Sequence, residues 1–153
     1  MGYVPSNQNG QATMANSAPV VIASDQSGLT IATGSIALQE AATGGATVYH
    51  LVTGATTSPV NIKNSAGKVT GWYIYNSNGS ARKLAFHNTA TAPVAGTSVY
   101  FSVVIPPLSG ANVSYPAGIN FSSGIAITTT TGLADSDATA VATNDLIINI
   151  FYK

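Results

Sequence analysis

Two histidines, His50 and His87, and five carboxylates, Asp25, Glu40, Asp135, Asp137 and Asp145, are the side chains of this 153-residue chain suited to acid–base chemistry near neutral pH. Nucleophilic catalysis by serine or threonine needs a base aimed at the hydroxyl. Both histidines instead lie inside alternating runs, "TVYHLV" and "KLAFHN", where each reads as one position on a half-exposed sheet face. No Gly-x-Ser-x-Gly turn accompanies them. Paired-carboxylate hydrolysis needs two acids across a cleft, whereas Asp135 and Asp137 share one stretch, "LADSDATAVATND", and Asp145 opens the last apolar run. The "DSD" oxygens of Asp135 and Asp137 are the nearest approach to a hard-cation site, but two carboxylates fall short of a calcium ligand set. Asx turns and loop capping account for them. No glycine-rich loop opens a helix to cradle phosphate. The expectation is a protein that is not an enzyme and uses no cofactor.

The aromatic run "GWYIY" carries the other candidate site. Strand alternation places Trp72 and Ile74 on one face and Tyr73 and Tyr75 on the other. The tyrosine face is then partly exposed, and tyrosine is enriched where proteins meet. A protein interface is the first reading for Tyr73 and Tyr75, ahead of plain sheet surface and of a glycan platform. The Asn-x-Ser triplets at Asn78, Asn112 and Asn120 are short enough to arise by chance.

Charged residues make up 7% of the chain against roughly 25% in ordinary soluble domains. Five basic and five acidic side chains cancel, and only Arg82 and Lys83 are adjacent cations, so the clustered basic face that nucleic acid requires is missing. A neutral chain with so little charge lacks the repulsion that keeps proteins apart. Much of its surface is expected to be covered by neighbours. Cysteine is absent, which removes disulfides and thiolate metal sites. No apolar run approaches the length of a membrane span. The opening "MGYVPSNQNG" has neither a basic nor an apolar signal region. Met1-Gly2 with Ser6 fits the short myristoylation pattern, but no basic residues follow.

Two regions differ in texture. Residues 1–45 are rich in small and amide side chains and read as an extended N-terminal arm interrupted by two apolar pieces. One is the tetrad Pro19, Val20, Val21 and Ile22; the other alternates Leu29 and Ile31. These six residues are the candidate interface of the arm. Residues 46–153 run through short period-two segments separated by turn residues, the pattern of an all-β fold. About eight strands are expected in a single antiparallel β-sandwich, jelly-roll-like in preference to immunoglobulin-like because the cysteine and tryptophan framework of the latter is missing. Asn78-Gly79 between apolar runs predicts a tight hairpin of type I′, and Pro106-Pro107 ends the strand before it. "ANVSYPAGINFSSGIAITTTTG" predicts one segment through Val113 and Tyr115 and a second from Ile119 to Thr131. Inward positions are Leu51, Ile62, Trp72, Ile74, Leu84, Phe86, Phe101, Val103, Ile119, Phe121, Ile127, Ile148 and Ile150.

Several stretches resemble structural proteins of tailed bacteriophages. "NGQATMANSAPVVIASDQS" is similar to a segment recurring in such proteins. "VYHLVTGATT", "AGKVTGWYIYNSNGSARKLAFHNTATAPVAGTSV", "GINFSSGIAI" and "GLADSDATAVATNDLIINIFYK" resemble a small β-sandwich domain of virion proteins. The resemblance covers most of the chain and implies a part of the virion: a capsid decoration (cement) protein bound to the major capsid protein as a homo-oligomer, a trimer in particular, or a tail, neck or baseplate adaptor for fibres. It implies no catalytic residues. A module recognising host glycans through Tyr73 and Tyr75 stands below both.

Overall fold

The structure, a computed structural model, describes residues 45–153. The expected arm contacts at Pro19, Val20, Val21, Ile22, Leu29 and Ile31 lie outside the described residues. Eight strands follow in order: β1 (Thr47–Val52), β2 (Val60–Lys63), β3 (Gly67–Asn76), β4 (Arg82–Asn88), β5 (Phe101–Ile105), β6 (Ser109–Phe121), β7 (Ile125–Thr130) and β8 (Leu146–Tyr152). The described residues form no helix. One sheet has the order β1-β8-β3-β6 and the other β2-β7-β4-β5, and every pairing is antiparallel.

Apolar alternation decides which side of each strand turns inward. Val69, Ile74, Ile148 and Ile150 of the first sheet and Leu84, Phe86, Ile105 and Ile127 of the second are wholly buried in one cluster. Trp72 joins them, with ring centroids 5.6 Å from Phe86 and 6.0 Å from Phe101, while Phe86 and Phe101 stack at 4.5 Å. Such aromatic pairs contribute about 0.5–1.5 kcal/mol each beyond the area they bury. All thirteen expected inward residues belong to this cluster or pack against it, Leu51, Ile62, Phe101, Val103 and Ile119 being only partly buried.

Two turns differ from expectation. Asn78-Gly79 does not close a hairpin, because β3 and β4 belong to different sheets. Neither residue takes the positive φ that a type I′ turn demands. Side-chain capping holds the corner instead: Asn76 Oδ1 accepts from Asn78 N at 2.9 Å, and Asn78 Oδ1 accepts from Ser80 N at 2.9 Å. The buried Asn76 amide also donates to the carbonyls of Ser80 at 2.9 Å and Pro106 at 3.0 Å, tying the corner to the end of β5.

The second difference is β6, which runs unbroken through Pro116. Its pairing with β3 jumps from Val69↔Ile119 to Gly71↔Ser114, so Tyr115 to Gly118 bulge opposite Thr70. An edge strand tolerates a proline without an N–H, and Gly118 supplies a φ of 74° that ordinary side chains avoid. The break falls later, at residues 122–124.

The outer faces of the two sheets are unlike. Every residue of β7 and the first six of β4 are buried, on both sides of the second sheet. Loops 89–100 and 131–145 lie over that outer face: the Ser98 carbonyl stands 3.2 Å from His87 Nδ1, and Lys83 Nζ donates to Ala134 O. The loops also meet each other, since a Cβ on Gly96 would stand 2.7 Å from Ser136 O. The first sheet has no such cover among the described residues, and Val48, Val52, Tyr73 and Ile147 on its outer face are exposed.

Candidate binding face

The two histidines sit on different sheets and in opposite environments. His50 is exposed on β1, with Nδ1 2.9 Å from Asn149 Oδ1. His87 was expected to be half-exposed as well, but the loop cover of the second sheet buries it almost completely. Its Nδ1 lies 3.2 Å from the Ser98 carbonyl, which can only accept, so this nitrogen carries the proton. Nε2 then accepts from Thr128 Oγ1 at 2.9 Å. Burial holds the His87 pKa below its ordinary 6.5, and the nearby Lys83 charge acts in the same direction against the backbone hydrogen bonds at Ser98 and Thr97.

A pH dependence follows from that direction. The unfolded chain binds the proton more readily, so folding stability is complete above about pH 6.5 and declines as the pH falls from there through the folded value. Urea titrations at pH 7.5, 6.0 and 5.0 should show a falling midpoint, and His87→Gln should flatten the trend. An unchanged slope in that variant would assign the acid sensitivity elsewhere.

The carboxylates act within the chain's own loops. Asp137 Oδ2 accepts from Gly132 N at 2.9 Å and Thr139 N at 3.2 Å, and Oδ1 accepts from Thr139 Oγ1 at 2.9 Å. Although desolvation opposes it, these hydrogen bonds leave the Asp137 pKa lowered. Asp135 Oδ1 faces Ser102 Oγ at 3.2 Å and Lys83 Nζ at 3.7 Å. Among the described residues no three His, Cys, Asp or Glu side chains gather as a metal site would require.

Asp145, a carboxylate the spacing gave no reason to pair, forms a buried clamp. Its Oδ2 accepts from Arg82 Nε at 2.6 Å and from Ala142 N at 3.0 Å, and its Oδ1 accepts from Asn78 Nδ2 at 2.9 Å. The clamp ties the β3–β4 corner to the start of β8. It leaves no charge for a ligand.

The outer face of the first sheet is different in kind. Strand register arranges twelve positions in three rows: Val52, Ile147, Tyr75 and Gly110; His50, Asn149, Tyr73 and Asn112; Val48, Phe151, Gly71 and Ser114. None is Asp, Glu, Lys or Arg. Tyr73 is exposed and Tyr75 half-buried, both on the outer side that alternation assigns them. Gly71 is buried, and a Cβ there would stand 2.6 Å from Val113 O. On the same face a groove of about 570 Å³ is lined by Trp72, Tyr73, Asn112, Val113, Ser114, Asn149 and Phe151. Of these, Tyr73 was singled out from sequence. Asn112, Asn149 and Phe151 were not, because only the register of β8 and β6 against β3 brings them beside it.

The chain matches no protein-family model, and comparison with curated proteins and with solved structures returns no match.

Proposed function

We propose that this chain is a non-enzymatic structural protein of a bacteriophage particle, a capsid decoration protein whose residues 1–45 tie it to the major capsid protein while its β domain sits outside the shell. The location is the virion, and the subunits form a homo-oligomer, with a trimer as the favoured state. The observation that carries this reading is the scarcity of surface charge. Of the eight formally charged side chains in residues 45–153, Arg82, Lys83 and Asp145 are buried, which leaves five at the surface. A soluble domain free in solution ordinarily has roughly 25–35% of its surface residues charged. So bare a surface suits permanent burial against neighbours, where each charge would otherwise have to be desolvated.

The β domain is proposed to be a jelly roll. Support comes from the strand orders β1-β8-β3-β6 and β2-β7-β4-β5 and from a chain that changes sheet at every connection except β4 to β5. The phage resemblance of the quoted stretches supports the setting of this fold.

Counting the protein against the major capsid protein in purified particles tests the assignment. Copies on the order of hundreds per particle, as shell symmetry requires, support decoration, whereas about a dozen would move the protein to a neck, tail or baseplate ring. Absence from particles would end the reading.

A further inference from the structure

The geometry points to a saccharide site in the groove between Tyr73 and Phe151, with a neutral oligosaccharide as its ligand. This reading does not depend on the place of the protein in a particle. The wall is aromatic: Tyr73 is 48% exposed, and Phe151 stands across the groove at the register position of Gly71. The C–H face of a pyranose packs on such rings, which combine an apolar body with, in tyrosine, a polar tip.

The rim supplies directional polar groups. Asn149 Oδ1 is engaged by His50 Nδ1 at 2.9 Å, and Asn112 Oδ1 accepts from Ile74 N at 3.2 Å. Each carboxamide thus has its oxygen engaged, Asn112 Nδ2 lies beside Gly110, and among the described residues neither NH₂ group nor the Ser114 hydroxyl has a protein partner. Two fixed donor groups and a rotatable hydroxyl beside aromatic rings match the alternating hydroxyl and C–H pattern of a sugar.

Charge and size choose between occupants. No residue lining the groove carries a formal charge, so an anionic ligand would lose hydration without gaining a counter-charge inside it. The groove falls within the roughly 300–1,000 Å³ typical of small-ligand clefts. The twelve central positions span only about 15–20 Å on a side from strand spacings, or roughly 225–400 Å², against about 800 Å² per partner in a stable protein interface. A second copy seated on this face alone would be held poorly. A short oligosaccharide needs no more than the groove.

The full-length protein should be tested on an immobilised panel of neutral oligosaccharides built from hexoses and N-acetylhexosamines, alongside sialylated and sulfated members. Saturable binding to neutral members is expected, with weaker binding to the anionic ones. Tyr73→Ala and Asn149→Ala should each lose about tenfold or more in affinity, as removal of a central contact does, with unaltered thermal unfolding. Val52→Ala, outside the groove, should bind as the parent does. No saccharide-dependent signal, or binding undiminished in Tyr73→Ala, overturns the site. So does a sedimentation experiment in which Tyr73→Glu dissociates an oligomer, since the face would then belong to a second copy. Particle copy number is independent of all these results, so a failed saccharide site leaves the decoration reading to its own test.

Discussion

Replacing Asp145 by asparagine is expected to lower the unfolding free energy by about 3–5 kcal/mol, the usual cost of removing one partner from a buried ion pair. The carboxylate is 4% exposed and the Arg82 residue 8%, with Nε and Oδ2 2.6 Å apart. An asparagine keeps the volume but removes the negative charge and offers one oxygen where the carboxylate gives two. The guanidinium would then be buried without a counter-charge. Much of the loss comes from that stranded cation and less from the attraction itself, so Arg82→Met combined with Asp145→Asn should lose less than the two single losses added. A double-mutant cycle in urea measures the difference. A loss below about 1 kcal/mol in Asp145→Asn would mean that water reaches Arg82 and the clamp is not closed.

The same carboxylate shapes the acid limb of stability. Burial alone would raise its pKa, but hydrogen bonds from Arg82, Ala142 and Asn78, with the guanidinium charge, bring it below the ordinary 3.8. A lowered folded pKa means that the contribution is fully present above pH 3.8 and is lost as the pH falls through the folded value. In Asp145→Asn the loss below pH 3.8 should shrink to the part that Asp137 contributes, while the loss that begins near pH 6.5 and follows His87 should persist.

What was legible in the sequence depended on how local its cause was. In β3 and β8 the alternation of Trp72 with Ile74, and of Ile148 with Ile150, marked the inner face because one side of each strand is core and the other is not. In β4 the same rule misplaced His87 and gave no sign that Lys83 would be buried, since loops from two other parts of the chain cover the outer side. Turn chemistry marked where the chain bends and failed on how. Asn78-Gly79 does turn, but Asn76 and Asn78 cap backbone donors there and the chain crosses between sheets. The break expected between Tyr115 and Ile119 is a bulge through Pro116, because β6 is an edge strand whose neighbour makes no demand on the missing N–H. The Arg82–Asp145 pair spans 63 positions, and the groove assembles side chains of β3, β6 and β8. Neither has a signature within any short window.

Deleting residues 1–28 is expected to leave the β domain folded and to abolish its attachment to capsid shells. Among the described residues, the core closes on side chains between Tyr49 and Tyr152, so the truncated chain should keep its cooperative thermal transition. The proposed attachment rests on Pro19, Val20, Val21 and Ile22, docked as an added strand at a sheet edge of the receiving protein. Burying the three branched aliphatic side chains contributes roughly 5–9 kcal/mol in gross terms. Fixing four residues of backbone takes back about 4–8 kcal/mol, so burial and ordering nearly cancel and the strand hydrogen bonds leave a few kcal/mol for each arm. A net 3 kcal/mol corresponds to about a hundredfold in affinity for one subunit, and several arms on one oligomer multiply the effect through effective concentration. The full deletion should therefore fall below detection in co-sedimentation with expanded shells. Val21→Asp, which would bury an unpaired carboxylate in the same strand, should weaken binding nearly as far without removing any chain. Undiminished co-sedimentation of the truncated protein would show that the β domain itself holds the shell, and the tetrad would then need another role.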